Sequence, residues 1–333
     1  MIKYLGSKRV LVPAIVDAVR DLPGTSVLDL FSGTSRVGHA LKAAGYRVVA
    51  NDHNAYAATL ARCYVQADDD LAPAAGAILD ELNRLPGRAG WITHNYCVEA
   101  RYFQPKNGER IDAIRERIAE LALPPELEAV VLVSLLEAAD RVDSTTGVQM
   151  AYLKGWAPRS ARDLELRLPA LLPRAAAGAG LATELDAEDA ATIEVDIAYL
   201  DPPYNQHKYL GNYHIWESLV RWDRPEVYGV ARKRIDCRDR DSAFNSKRRI
   251  LDALRRTVQN LRARSLVVSF NNEGYIDRQE MVALLSERGA VDVREHDFRR
   301  YVGARIGIYN PSGEKVGRIS HTENKELLFI VRG

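Results

Sequence analysis

Cysteine is scarce: Cys63, Cys97 and Cys237 are scattered through 333 residues, and no two have C-x-x-C spacing. That excludes a disulfide-stapled scaffold and a structural zinc site, and it fits a reducing, cytoplasmic setting. Long apolar runs are missing too. The longest, AVVLVSLLEAA at 129–139, is too short to cross a bilayer and has Glu126, Glu128 and Asp140 beside it, so a buried helix is expected there and no membrane partner. The opening MIKYLGSKRVLVP carries charges among its apolar residues and lacks the apolar stretch of a signal peptide. Nor is there an excess of either charge, since 46 Lys and Arg stand against 45 Asp and Glu. The total therefore gives no hint of a polyanionic partner. The distribution does: residues 231–264 hold twelve Lys and Arg against four Asp, and the preceding stretch 175–200 is wholly acidic. Such a basic block is either a solvated face or a surface that grips phosphates.

A chain of this length buries a large core and holds one big domain plus a lobe or insertion. Residues 8–21 have helical spacing. TSVLDLF (25–31) reads as a buried strand, SGTSRVG as a turn, and RVGHALKAAG as a helix closed by Gly45. YRVVAND (46–52) is the next strand, followed by a helix over 54–66. Strand, small-residue turn, helix and strand make a βαβ unit, and the simplest reading is an α/β fold with a parallel sheet. From Asp68 to about Pro173 no strand is convincing, and ERIDAIRERIAELAL and PPELEAVVLVSLLEAADRV read as helices. Alternation resumes with strands at 180–185 and 195–200, a helix at 248–262, SLVVSFNNEGY (265–275) as a strand running into a polar turn, a helix at 278–289 and strands near 291–300 and 326–331. GARIGIYNPSGEKVG (303–317) reads as a β-hairpin excursion.

Three clusters carry chemistry. The first is DLFSGTSRVG (29–38), where a strand meets a helix N-terminus through small residues, a place suited to a ligand. Asp52 ends the next strand 19 residues after Gly33, where a carboxylate can accept both ribose hydroxyls of a nucleoside. The competing reading makes Asp52 a cap for the 54–66 helix. The turn FSGTS is not G-x-G-x-x-G, and Arg36 is the one basic residue placed for a pyrophosphate, so a nucleoside without phosphates, such as S-adenosylmethionine, fits better than a dinucleotide. The second cluster is KYLGSK (3–8), from which Tyr4 and Lys8 can fold over such a ligand and meet its carboxylate. The third is YLDPPY (199–204). Pro202 and Pro203 stop the strand's hydrogen-bond ladder and stiffen a turn that carries Asp201 and Tyr204. An Asp carboxylate and a proline carbonyl form a fixed pair of acceptors for an –NH2 group, and Tyr204 offers a face for a planar ring.

KYLGSK, DLFSGTS, Asp52 and YLDPPY, in this order and with a long insertion before the last, resemble the DNA N6-adenine methyltransferases. Within them the match is to the DPPY-type class with the cofactor motif first and the recognition region before DPPY. RYFQPKNGERIDAIRERI (101–118), AYLKGW (151–156), NYHIWESL (212–219) and SFNNEGYI (269–276) resemble the family's connecting segments, so the likeness covers nearly the whole chain. Ser35 departs from it, since the family's cofactor turn usually has a second glycine there. The resemblance implies a Rossmann-like S-adenosylmethionine-dependent sheet formed by 1–67 and 176–333, with 68–175 an inserted, mainly helical recognition lobe. It implies that Tyr4, Lys8, Phe31, Gly33 and Asp52 bind S-adenosylmethionine, with Asp189, preferred over Asp186, on the cofactor's adenine amine. Asp201, Pro202, Pro203 and Tyr204 would form the target-adenine site, with Asp201 also near the methionine end of the cofactor.

The activity implied is methyl transfer to the N6 amine of an adenine flipped out of double-stranded DNA, in restriction–modification with a cognate restriction endonuclease or in epigenetic marking. Neither a metal nor a covalent intermediate is expected, and the Pro-Cys nucleophile of ring-carbon methylation is lacking. Base readout would fall to the 68–175 insertion or to 205–250. RNA adenine or a protein glutamine amide are alternative substrates, though a glutamine enzyme usually has Asn in place of Asp201. A non-catalytic DNA-binding relative should have lost Asp201 or Asp52. His207, His214 and His321 are read as structural or surface residues. The recognition sequence and the oligomeric state are not set by the sequence.

Overall fold

The computed structural model describes residues 1–204, 206, 208–272, 274–299, 308–309, 315–317 and 323–333, with the backbone alone at 297–299, 308–309, 315–317 and 323–324. After a turn at Lys8–Val10, the chain forms α1 (Val12–Arg20), β1 (Ser26–Asp29), α2 (Arg36–Ala43), β2 (Arg47–Asn51) and α3 (Ala55–Ala61). The helical insertion follows as α4 (Ala72–Asn83), α5 (Trp91–Thr93), α6 (Pro105–Leu121) and α7 (Pro125–Val142). The α/β alternation returns with β3 (Leu181–Thr183), α8 (Ala187–Ala190), β4 (Ile197–Leu200), α9 (Tyr209–Asn212) and α10 (His214–Arg221). Then come a small pair, β5 (Val227–Tyr228) and β6 (Lys233–Arg234), followed by α11 (Ile250–Asn260), β7 (Ser265–Asn271), α12 (Arg278–Leu285) and β8 (Ala290–Arg299). The chain ends with a second small pair, β9 (Ile308–Tyr309) and β10 (Lys315–Gly317), and with β11 (Glu323–Arg332).

Seven strands form one sheet in the order β3-β2-β1-β4-β7-β11-β8. The first five run parallel, and β11 lies antiparallel to both β7 and β8. This is a mixed α/β architecture around a mostly parallel central sheet, as the α/β reading of the sequence expected. Val27, Leu28, Ile197, Ala198 and Leu200 are fully buried, as parallel strands covered on both faces require. From β1 the sheet grows one way to β2 and the other way to β4, so the strand order reverses between β1 and β4. Ligands of open α/β sheets bind beyond the carboxyl ends at that switch. Asp29 ends β1 and Asp201 follows β4, so both carboxylates stand at it.

The expected elements of the α/β part are present within a few residues, and the hairpin expected at 303–317 is seen as the antiparallel β9–β10 pair, its turn lying outside the described residues. Helices α4, α5, α9 and α10 and the β5–β6 pair were not anticipated. The insertion is not held apart from the sheet: Leu79, Ile111, Ile114, Val131, Leu135 and Ala138 share one apolar cluster with Tyr56 and Leu60 of α3 and Trp216 and Leu219 of α10. Residues 129–139 lie in α7 and are mostly buried, and among the described residues no helix is long and apolar enough to cross a membrane.

Asp112 on α6 organises the insertion. Its buried carboxylate accepts hydrogen bonds from the backbone N–H groups of Gly90, Ile92 and Thr93 at 2.8–2.9 Å and from Thr93 Oγ1 at 2.6 Å, closing the N-terminus of α5. Asp112→Ala should leave three N–H groups without their acceptor and lower stability by about 3–5 kcal/mol, with Asp112→Asn intermediate. Urea unfolding checks this, and an alanine variant within 1 kcal/mol of the parent (roughly the worth of one neutral bond) would contradict it.

Candidate active site

A cavity of about 460 Å³ opens at the strand-order switch. Such a volume suits a nucleoside-sized ligand. Tyr4, Lys8, Phe31, Gly33, Asp52, Asp189, Asp201 and Pro203 all line it. Pro202 is buried behind the turn, and Tyr204 stands at the side, its hydroxyl near Gly6. Asp186 and Asp189 both line the wall, so the structure brings in both acids weighed for one role.

Each wall follows from local sequence. The turn after β1 is left-handed twice, at Gly33 (φ +49°) and at Ser35 (φ +57°). Ser35 thus holds the conformation that glycine provides freely, at a cost of about 1–2 kcal/mol. A Cβ at Gly33 would lie 3.3 Å from the Tyr4 ring, so the missing side chain lets KYLGSK close over the turn. Asp52 Oδ2 accepts from the Gly33 N–H at 3.1 Å, and its Oδ1 accepts from the Asn54 N–H at 2.9 Å. Asp52 therefore ties two turns together while facing the cavity; the helix cap position belongs to Asn54. Tyr4 stacks with both Tyr213 (4.6 Å) and Tyr209 (5.3 Å) while lining the cavity.

Lys8 departs most from expectation. Its buried ammonium lies 3.1 Å from Asp201 Oδ1 and donates to Glu326 Oε2 at 3.2 Å, rather than standing free for a cofactor carboxylate. Burial opposes its charge, but the two acids win and raise its pKa. Ser269 Oγ also donates to Asp201 Oδ1, at 3.0 Å. Both interactions fall on one oxygen, leaving Oδ2 as the edge for a ligand. Asp201 is pushed upward by burial and opposed by Lys8. Tyr204 meets Phe270 edge-on at 6.0 Å, Lys8 Nζ lies 5.9 Å from its ring centre, and its carbonyl accepts from the Tyr275 N–H.

Sequence reasoning missed Asp29, Ser269, Glu326, Tyr209 and Phe244. Phe244, just before α11, meets Phe31 edge-on at 5.0 Å and completes an aromatic wall. Ser7 Oγ, Asp29 Oδ1, Ser32 Oγ and Asn54 Oδ1 are buried along the cavity without a partner among the described residues. Unsatisfied donors and acceptors beside acids and aromatic rings suit a polar nucleoside with a charged tail.

The basic block is less available than its composition suggests. Arg234 pairs with Asp223 and Asp236, Arg240 with Glu217, Arg249 with Asp241, Arg255 with Glu287 and Arg256 with Glu188. His214 is buried, with Nε2 3.0 Å from the Gln149 carbonyl, and desolvation holds it neutral by lowering its pKa to about 3. His207 and His321 lie outside the described residues.

Asp29 is fully buried, and desolvation, reinforced by Asp201, raises its pKa to about 8 against a hydrogen bond from the Gly38 N–H. A carboxyl raised in the folded state costs stability once the unfolded chain ionises. Wild-type stability should therefore fall between about pH 4 and the folded value near pH 8. Asp29→Asn lacks that slope, so its stability relative to wild type should grow across the window and level off above it. Unfolding curves at pH 5, 7 and 9 test this, and parallel pH profiles would contradict it.

Residues 4–284 match the model of the D12 class of N6 adenine-specific DNA methyltransferases. The chain is 31% identical to the type II methyltransferase M.NlaIII of Neisseria lactamica over 90% of its length and 92% of that protein. It is 29% identical to the modification methylase StsI of Streptococcus sanguinis over 99% of its length, and 28% identical to M.FokI of Planomicrobium okeanokoites over 90%. It spans about half of these last two, 52% and 49% respectively. On the family match and the M.NlaIII likeness, the chain belongs to the D12 class of N6 adenine-specific DNA methyltransferases.

Proposed function

We propose that this chain transfers a methyl group from S-adenosylmethionine to the N6 amine of an adenine flipped out of double-stranded DNA, as a DPPY-type enzyme with the cofactor motif first. The observation that carries this is Asp201. It follows β4 at the topological switch and lines the cavity, with one carboxylate oxygen engaged by Lys8 and Ser269 and the other edge left for a ligand. S-adenosylmethionine, when bound, supplies an electrophilic methyl group on a sulfonium. Asp52 would hold its ribose, Asp189 or Asp186 its adenine amine, Phe31 and Phe244 the flat faces, and Tyr4 and Gly33 the turn beneath.

Asp201 and the Pro202 carbonyl accept from the target amine and aim its lone pair at the methyl carbon. Both acceptors face an amine that becomes positive, so their preorganised negative ends stabilise the developing charge. Flipping the base costs a few kcal/mol of stacking. Stacking on Tyr204 returns roughly 1–3 kcal/mol of it. Segment 68–175 is the recognition region in this reading, with 205–250 beside it. One connection supports that role: Gln149 donates its N–H to the Asn212 carbonyl at 2.7 Å and accepts from the Ile215 N–H at 2.8 Å, so the loop carrying Tyr152 and Lys154 is fastened to the helices after DPPY. The likeness to modification methylases supports a further part of the proposal, a cognate restriction endonuclease as partner.

Asp201→Ala should lower methyl transfer at least about a hundredfold, the scale for losing one preorganised group. DNA affinity should stay within a few fold, because phosphate contacts set it. Filter binding and labelled-methyl incorporation on the same preparations check this. A variant methylating at near the parental rate would overturn the role given to the turn.

A further inference from the structure

Glu326 is a carboxylate in an unexpected place. It sits inside β11, followed by the apolar run Leu327–Val331, and is only 4% exposed. Opposite it in register stand Asn271 on β7 and His296 on β8. Its Oε1 accepts from Asn271 Nδ2 at 3.3 Å and its Oε2 from Lys8 Nζ at 3.2 Å. It lies beyond the segment 4–284 matched by the family model. Burying such an ion pair gains little stability, because desolvation consumes most of the attraction, and an apolar pair of similar size would serve the sheet as well. Yet its partner, Lys8, is the same ammonium that touches the turn carboxylate.

We infer that Glu326 is a positioning residue of the active site, holding the Lys8 ammonium at one edge of the Asp201 carboxylate so that the other edge stays open to the target amine. This rests on the function proposed above. Without Glu326, one buried ammonium faces one buried carboxylate, and the favoured arrangement draws Nζ onto Asp201 alone, across both oxygens. With Glu326, Nζ is shared between two acids on different strands and is held to Oδ1.

Charge gives the same answer. Around Asp201 stand Lys8 on the first turn, Asp29 on β1, Tyr199 on β4, Tyr204 on the DPPY turn, Tyr209 on α9 and Glu326 on β11. Burial keeps Tyr199 and Tyr209 neutral, and Asp29 is held mostly protonated below about pH 8. Lys8 and Asp201 alone sum to zero, and Glu326 makes the cluster negative. A negative cluster suits a sulfonium donor and an amine that gains positive charge, and it favours the donor over the neutral thioether left after transfer. Glu326 also opposes ionisation of Asp201, so its removal lowers the pH at which the Asp201 carboxylate is lost.

The test compares wild type, Glu326→Gln and Glu326→Asp in methyl transfer to unmethylated DNA across pH 5–9, alongside S-adenosylmethionine and S-adenosylhomocysteine binding. Glu326→Gln should lose kcat about ten- to a hundredfold, the scale of a misplaced reacting group, with little change in KM for DNA. Its acid limb should move to lower pH, and its preference for the sulfonium over the thioether should fall severalfold. Glu326→Asp keeps the charge but retracts it, so it should lose kcat and keep the wild-type limb; it decides the matter if the amide variant does not fold. Wild-type kcat in either folded variant, or a kcat loss in Glu326→Gln with neither the limb nor the ligand preference moved, would overturn the inference while leaving the proposed function intact. A wild-type chain that makes no N6-methyladenine would overturn both.

Discussion

The Lys8 ammonium joins three distant parts of the chain at one point: the N-terminal turn, the loop after β4 and the antiparallel strand β11. None of the three meets the others in sequence, and each contributes one charged group. With Lys8 in place the KYLGSK segment lies over the βα turn, Tyr4 stacks with Tyr209 and Tyr213, and the Asp201 carboxylate is held at one edge. The rest of the cavity is arranged around that point.

The fold supplies the location and the local sequence supplies the chemistry. Reversal of strand order between β1 and β4 leaves a crevice where helices diverge to opposite faces. Small residues and left-handed turns at Gly33 and Ser35 keep that crevice open, while Asp52 knots its far side by accepting from Gly33 and Asn54. The insertion is welded to this frame through α3 and α10 and through Gln149, so a group placed on the insertion stands in fixed register with DPPY.

Much of this was legible in the sequence because it depends on short-range signals. The βαβ unit, the turn at FSGTS and the halt at Asp-Pro-Pro are each set by residues close together in the chain, the longest of them, β1 to β2, running only from Ser26 to Asn51. Glu326, Ser269 and Phe244 were not legible, since each acts on a partner more than sixty residues away and carries no motif of its own. Asp29 was hidden for a different reason. An acid at the end of a buried strand looks like any strand-terminal acid until its desolvation is known. The basic block misled in the opposite direction, because arginines near one another in sequence were paired with acids brought from elsewhere by the fold. Ser35 was recognised as a departure, but only the backbone reveals that it holds a left-handed conformation.

In the proposed function this cavity moves a methyl group onto an adenine amine of DNA. The most direct test incubates the chain with methyl-labelled S-adenosylmethionine and unmethylated genomic DNA, with RNA and protein in parallel, and digests each to nucleosides or amino acids. Label recovered as N6-methyladenine from the DNA is the result predicted. Label on cytosine, in RNA or in protein, with none on DNA adenine, would contradict the account.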